Sequence, residues 1–138
     1  MFNKNNTLKE ISQNPVLAPY ADKSVAGLDL SGSPFFEKTI YELSAAHIFY
    51  GYSLLNGFNR LYEAASEGTF CYKLYSEDEI KDDPKKDQAC FMLFSSMDPD
   101  ADNRPFVVCV PGGGNVQIWN MTEGFPIANH YNQLGYHV

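Results

Sequence analysis

The chain has 138 residues, of which 44% are hydrophobic and 14% aromatic. That is enough apolar material for a buried core, so global disorder is excluded. Ten Lys and Arg stand against 17 Asp and Glu, a net charge of -7. An acidic chain repels phosphate backbones, which excludes general nucleic-acid binding.

The longest apolar runs are five or six residues. A membrane-spanning helix needs roughly 20. The N-terminus, Met1-Phe2-Asn3-Lys4-Asn5-Asn6, shows no signal-peptide pattern. The expected compartment is the cytoplasm, with no membrane and no nucleic-acid partner.

Residues 1–68 are expected to form a helical, cap-like N-terminal segment. Thr7-Leu8-Lys9-Glu10 and Thr39-Ile40-Tyr41-Glu42 fit the capping-box pattern at a helix start. Asn14-Pro15 is expected to open another short helix, because Pro suits the first helical position. Gly27 to Pro34 is linker-like. From Leu54 to Ala65, Leu54, Leu55, Phe58, Leu61, Tyr62 and Ala65 recur at the helical period, and Gly68 follows as a stop. Asn56 and Gly57 weaken that helix locally.

After Gly68 the period changes to two. Phe70, Tyr72 and Leu74 share one face of a half-buried strand over 69–76. The charged run Glu77 to Asp87 reads as a solvated hairpin loop. Residues 89–96 form the returning strand. The next loop, Met97 to Asn103, has the alternating Asp of a calcium loop. Cys109 occupies its twelfth position, where an EF-hand needs Glu, so a polar turn is expected.

Phe106-Val107-Val108-Cys109-Val110 is a continuous apolar run, the pattern of a central strand buried on both faces. The loop Pro111-Gly112-Gly113-Gly114-Asn115 follows. A helix then places Phe125, Ile127, Ala128, Tyr131 and Leu134 on its inner face, with Thr122 as cap and Gly135 at its stop. Tyr136-His137-Val138 reads as the start of another strand. Strand, glycine loop, helix and strand make a βαβ unit, so the expected class is α/β.

Cys71, Cys90 and Cys109 are an odd set without zinc spacing, and are expected to be small buried thiols. No metal or cofactor motif is present. Three glycines after a strand let a ligand approach the backbone. Their amides can cradle a phosphate or an oxyanion. No Gly-Lys-Ser/Thr follows, and Gln117 stands where a dinucleotide loop needs its third Gly.

Residues 104–138 resemble the α/β-hydrolase family, in its esterase and lipase-like branch with a His-Gly-Gly-Gly oxyanion loop. The features that carry this are the run Phe106 to Val110, the loop Pro111-Gly112-Gly113-Gly114, and Glu123-Gly124-Phe125-Pro126 with Ala128. The closing Leu134-Gly135-Tyr136-His137-Val138 matches too. The resemblance implies that 69–138 is the N-terminal part of a hydrolase domain, with 69–97 as its antiparallel hairpin. It implies acyl transfer, with Gly113 and Gly114 donating amides and Gly112 shaping the turn. Pro111 departs from the family's His and has no N–H for bracing.

The family's Gly-x-Ser-x-Gly nucleophile is not found here. Ser12, Ser24, Ser31, Ser33, Ser44, Ser53, Ser66, Ser76, Ser95 and Ser96 all lack the flanking glycines. His47, His130 and His137 precede the family's catalytic position. The aromatics Phe35, Phe36, Phe49, Tyr50 and Tyr52 read either as core or as a cap over an acyl pocket. A family domain exceeds 200 residues, as the resemblance implies. The expectation is therefore the oxyanion-bearing part of a longer or split serine hydrolase, whose C-terminal half brings Ser, Asp and His. The alternative is a non-catalytic α/β binding or interaction module that pairs its sheet edges with another copy.

Overall fold

A computed structural model of the chain describes residues 1–24, 32–47, 50–68 and 70–138. Most of the linker-like stretch, along with Phe49 and Thr69, lies outside these.

Both capping boxes form. Helix α1 (Leu8–Ser12) starts at Thr7, whose hydroxyl accepts from the Glu10 amide while the Glu10 carboxylate accepts from the Thr7 amide. Helix α3 (Ile40–Ala45) repeats this with Thr39 and Glu42. An antiparallel bridge between Thr7 and Thr39 sets the two helix starts side by side. Between them, Asn14-Pro15 opens a turn and not a helix. The Asn14 side chain accepts from the Val16 amide, the local bond by which Asn competes with helix. The short helix α2 (Ala21–Ser24) follows one turn of 3-10 helix, Ala18–Tyr20.

Helix α4 (Gly51–Glu67) is the longest among the described residues and extends beyond the 54–65 expected. It buries Leu54, Phe58, Leu61 and Ala64, and Gly68 ends it at φ +135°. The helix runs unbroken through Asn56 and Gly57. A Cβ there would lie 2.8 Å from the Pro126 nitrogen, so the glycine lets two helix backbones meet.

The hairpin pairs β1 (Cys71–Lys73) with β2 (Cys90–Met92), setting Tyr72 opposite Phe91. The loop between them is more ordered than its charge suggests. Ser76 and Glu79 form a third capping box that starts helix α5 (Glu77–Asp82), and a 3-10 turn Pro84–Gln88 follows. All three capping carboxylates are held below the ordinary 4.5, chiefly by the backbone amide each accepts. Such caps stabilise the fold above the unfolded pKa and are lost as pH falls through the folded one. The thermal midpoint should therefore fall as pH drops below 4.5, and less so in the triple variant Glu10→Gln, Glu42→Gln, Glu79→Gln.

Beyond β2, Phe94 and Val138 exchange both backbone hydrogen bonds, at 2.8 and 3.1 Å. The Val107 amide donates to His137 O at 2.9 Å. Among the described residues the sheet has two strands, β1 and β2; 136–138 and 106–110, expected as strands, are extended segments tied beside it by these bonds. Helix α6 (Phe125–Gln133) joins the last two segments and packs on α4.

The run 106–110 is not buried on both faces. Phe106, Val108 and Val110 are 66%, 84% and 85% exposed, while Val107 and Cys109 are half-buried. Side chains alternate along extended backbone, and no described element covers the face bearing the three. Helix α6 also differs from expectation. Phe125 and Ala128 are buried and Tyr131 half-buried, but Ile127 and Leu134 are exposed. Thr122 does not cap it; a π-turn, Asn120–Gly124, leads in instead. The cysteines are half-buried and not buried.

One core gathers Ile11, Ile40, Leu43, Leu54, Phe94 and Phe125, drawing on both sides of residue 68. Arg60 is buried against it. Its Nε donates to Asn132 Oδ1 at 2.6 Å, one terminal nitrogen donates to Ser95 O at 2.8 Å, and the guanidinium lies over the Phe94 ring. Arg60→Met would fill the space but strand the two acceptors. It should cost about 2–4 kcal/mol in denaturant unfolding.

Candidate functional site: the glycine loop

The loop leaves the end of 106–110 and turns back onto the start of the helical segment. Pro111 Cγ lies against Gly124, where a Cβ would sit 3.2 Å away. The Gly112 amide donates to Glu123 Oε2 at 2.6 Å. The Gly112 carbonyl accepts from the Trp119 amide at 3.1 Å. The Gly113 carbonyl accepts from the amides of Val116 and Gln117, at 3.1 and 3.2 Å. These bonds fold 113–117 into a tight turn, with Gly114 and Asn115 in the left-handed region at φ +62° and +60°.

Gly113 is required by space. A Cβ on it would fall 1.6 Å from Gln117 O, a backbone atom that cannot move aside. The Gly113 carbonyl is engaged, but the amides of Gly113 and Gly114 donate to no acceptor among the described residues. Gly114 is exposed and Gly113 half-buried, so a ligand can reach both.

Glu123 supplies the brace that Pro111 cannot. Its carbonyl also accepts from Cys109 Sγ at 3.2 Å, tying the end of the extended run to the same residue. Burial, and then the Glu123 carboxylate, push the Cys109 thiol above its ordinary range. A thiol so placed is a poor nucleophile at neutral pH.

His137 meets an acid, but not as a catalytic base. Its Nε2 lies 3.0 Å from Asp102 Oδ1, and its Nδ1 accepts from the Ser96 amide at 3.1 Å. Nδ1 is thus an acceptor, which assigns the proton to Nε2 facing Asp102. No ring nitrogen remains to take a proton from a serine. The Ser96 hydroxyl donates instead to Asn132 O at 3.1 Å. The pair clamps the C-terminal segment to the 97–103 loop, which is a polar turn ending in one turn of 3-10 helix.

His47 and His130 stand apart from the glycine loop, and no cluster of three or more metal-ligating side chains occurs among the described residues. Phe35 and Phe36 pack against the core, while Tyr50 and Tyr52 are exposed. Tyr52 borders a hollow of about 260 Å³ with Lys4, Ile40 and Tyr41. A polar groove of about 350 Å³ runs past Arg60, Asn129 and Asn132. Neither is lined by the glycine loop.

Sequence reading missed Asn132 and Glu123. Asn132 Nδ2 donates to Phe94 O and Tyr136 O, at 2.9 and 2.8 Å, which binds α6 to both neighbouring extended segments. Nothing in the sequence marks that Asn. The spacing from the glycines to Glu123 was visible as part of the resemblance, but its bond to Gly112 was not. No family model, curated protein or solved structure matches the chain. No helix among the described residues is long and apolar enough to cross a membrane.

Proposed function

We propose that the chain carries the oxyanion loop of a serine hydrolase of the α/β-hydrolase type, acting by acyl transfer on a small ester or peptide. The observation that carries this is the pair of unaccepted amides at Gly113 and Gly114, held by a braced turn after an extended segment. Preorganised donors of this kind stabilise the charge that develops on a carbonyl oxygen. The Glu123 carboxylate beside the loop opposes a phosphate dianion more than the single charge of an oxyanion, and no Gly-Lys-Ser/Thr follows the glycines, so the oxyanion reading is preferred to a phosphate loop.

The nucleophile, acid and base come from a C-terminal half, either covalent or a second chain. That half pairs along 106–110, where the outward amides of Phe106 and Val108 have no acceptor among the described residues. Its serine attacks the acyl carbonyl, and Gly113 and Gly114 receive the oxyanion. Gly112 and Glu123 hold the turn.

The test joins this chain to the segment encoded downstream of Val138. The product should hydrolyse a short-chain p-nitrophenyl ester and take a fluorophosphonate label. Absence of both would overturn the reading. The exposed row Phe106, Val108 and Val110 also fits a non-catalytic module that pairs with its own copy. A chain that forms stable dimers, broken by Val108→Lys, and shows neither activity would favour that alternative.

A further inference from the structure

Cys71 and Cys90 are 19 residues apart in sequence, but the hairpin brings them together. The register sets Cys71 opposite Met92 and Cys90 opposite Lys73. The two cysteines are therefore diagonal neighbours on one face of the ribbon. A two-stranded ribbon twists strongly, which draws one diagonal closer than the other. Here each thiol lies near enough to act on the other, so theirs is the near diagonal. Both are half-buried and unbridged, which leaves them open to a small reagent. The Lys23 ammonium, held by Asp22 at 2.8 Å, lies near both sulfurs. The Lys23 carbonyl is itself anchored by the Asn120 side chain at 2.7 Å.

We propose that Cys71 and Cys90 form a dithiol site that a peroxide oxidises to an intramolecular disulfide, independently of the hydrolase reading. The Cys90 thiolate attacks one peroxide oxygen, the O–O bond breaks, and hydroxide leaves. The product is a sulfenic acid at Cys90. The Cys71 sulfur then attacks the Cys90 sulfur, the S–O bond breaks, and a second hydroxide leaves. The two thiol protons convert both hydroxides to water. Two thiols and one hydrogen peroxide thus become one disulfide and two waters.

The order of attack follows from the surroundings. Burial first, and then the neighbouring Cys90 thiol, push the Cys71 thiol up to about 11. A thiol so seldom ionised is a slow first attacker but can resolve a sulfenic acid beside it. The disulfide would staple β1 to β2 across α5 and the 84–88 turn. In a reducing compartment it would be transient and so report the local peroxide level.

The test treats the folded chain with hydrogen peroxide, blocks remaining thiols, and maps the digest by mass spectrometry without reduction. The titre should fall from three free thiols to one, with a peptide pair joined through Cys71 and Cys90. Dithiothreitol should restore all three. Cys109→Ser should leave the linkage intact, and Cys71→Ser should leave Cys90 as a sulfenic acid trapped by dimedone. The same treatment in urea should scatter the pairing among all three cysteines. Over-oxidation of Cys90 with Cys71 still free, pairing through Cys109, or equal selectivity in urea would each overturn the proposal.

Discussion

Alanine at Gly113 is expected to lower acyl-transfer kcat by about 10²–10³ in the assembled hydrolase, the loss typical of one missing oxyanion donor. The added Cβ would meet Gln117 O at 1.6 Å, so the turn must open and carry the Gly113 and Gly114 amides with it. KM should change little, because the amides act on charge that develops after binding. The three glycines should also rank. Gly114→Ala meets open space and suffers only its left-handed backbone, about 1–2 kcal/mol. At Gly112 the nearest atom is the Glu123 carboxylate end at 2.9 Å, which can swing aside. Gly32→Ala, in open space, is the control. Steady-state kinetics on the four variants would check this. Equal effects at Gly112 and Gly113 would contradict the assigned geometry.

Phe125→Ala should cost about 3–5 kcal/mol, the range for emptying a large aromatic site. Phe125 is 1% exposed and is among the largest fully buried side chains. Its ring sits 6.2 Å from Phe58 and 6.1 Å from Phe94, so it joins α4 to the extended segment just past β2. It also opens α6, directly after the π-turn that carries Glu123. Removing it should loosen the brace as well as the core. Against a usual total of about 5–15 kcal/mol, this single change would leave the fold marginal. Ile127→Ala, two residues on but exposed, should cost under about 1 kcal/mol. Urea unfolding of both variants, followed by circular dichroism, measures the difference. Similar costs at 125 and 127 would show that the expected inner face, and not the observed one, is correct.

The contrast between those two positions shows where sequence reading stops. The periodicity of α6 placed Phe125, Ile127, Ala128, Tyr131 and Leu134 together, because each is apolar. Which of them lies deep depends on the angle at which α6 meets α4, and Gly57 sets that approach. The same limit applies to 106–110. Five apolar residues in a row suggest burial on both faces, but a strand's second face is buried only if something covers it. The capping boxes were legible because Thr or Ser and Glu three residues later act locally, within one turn. The third, at Ser76, was overlooked only because charge was read as loop.

At the glycine loop the split is similar. The sequence supplied the three glycines, their place after an extended run, and the resemblance that gives them a role. It did not show which amides are free. That depends on Glu123 reaching Gly112 and on Trp119, Val116 and Gln117 turning back onto the loop carbonyls.

Length, composition and charge determined by themselves that this chain folds around a core. Local pattern determined the first two caps, α4, the hairpin and the order of extended run, loop and helix, since neighbours in the chain are enough to fix these. Only the tertiary structure decided that Arg60 is buried with Asn132 as its partner, that two cysteines distant in sequence become cross-strand neighbours, and that one apolar edge lies open. Those outcomes rest on contacts between segments far apart in sequence, and no local rule of hydrophobicity or spacing contains them.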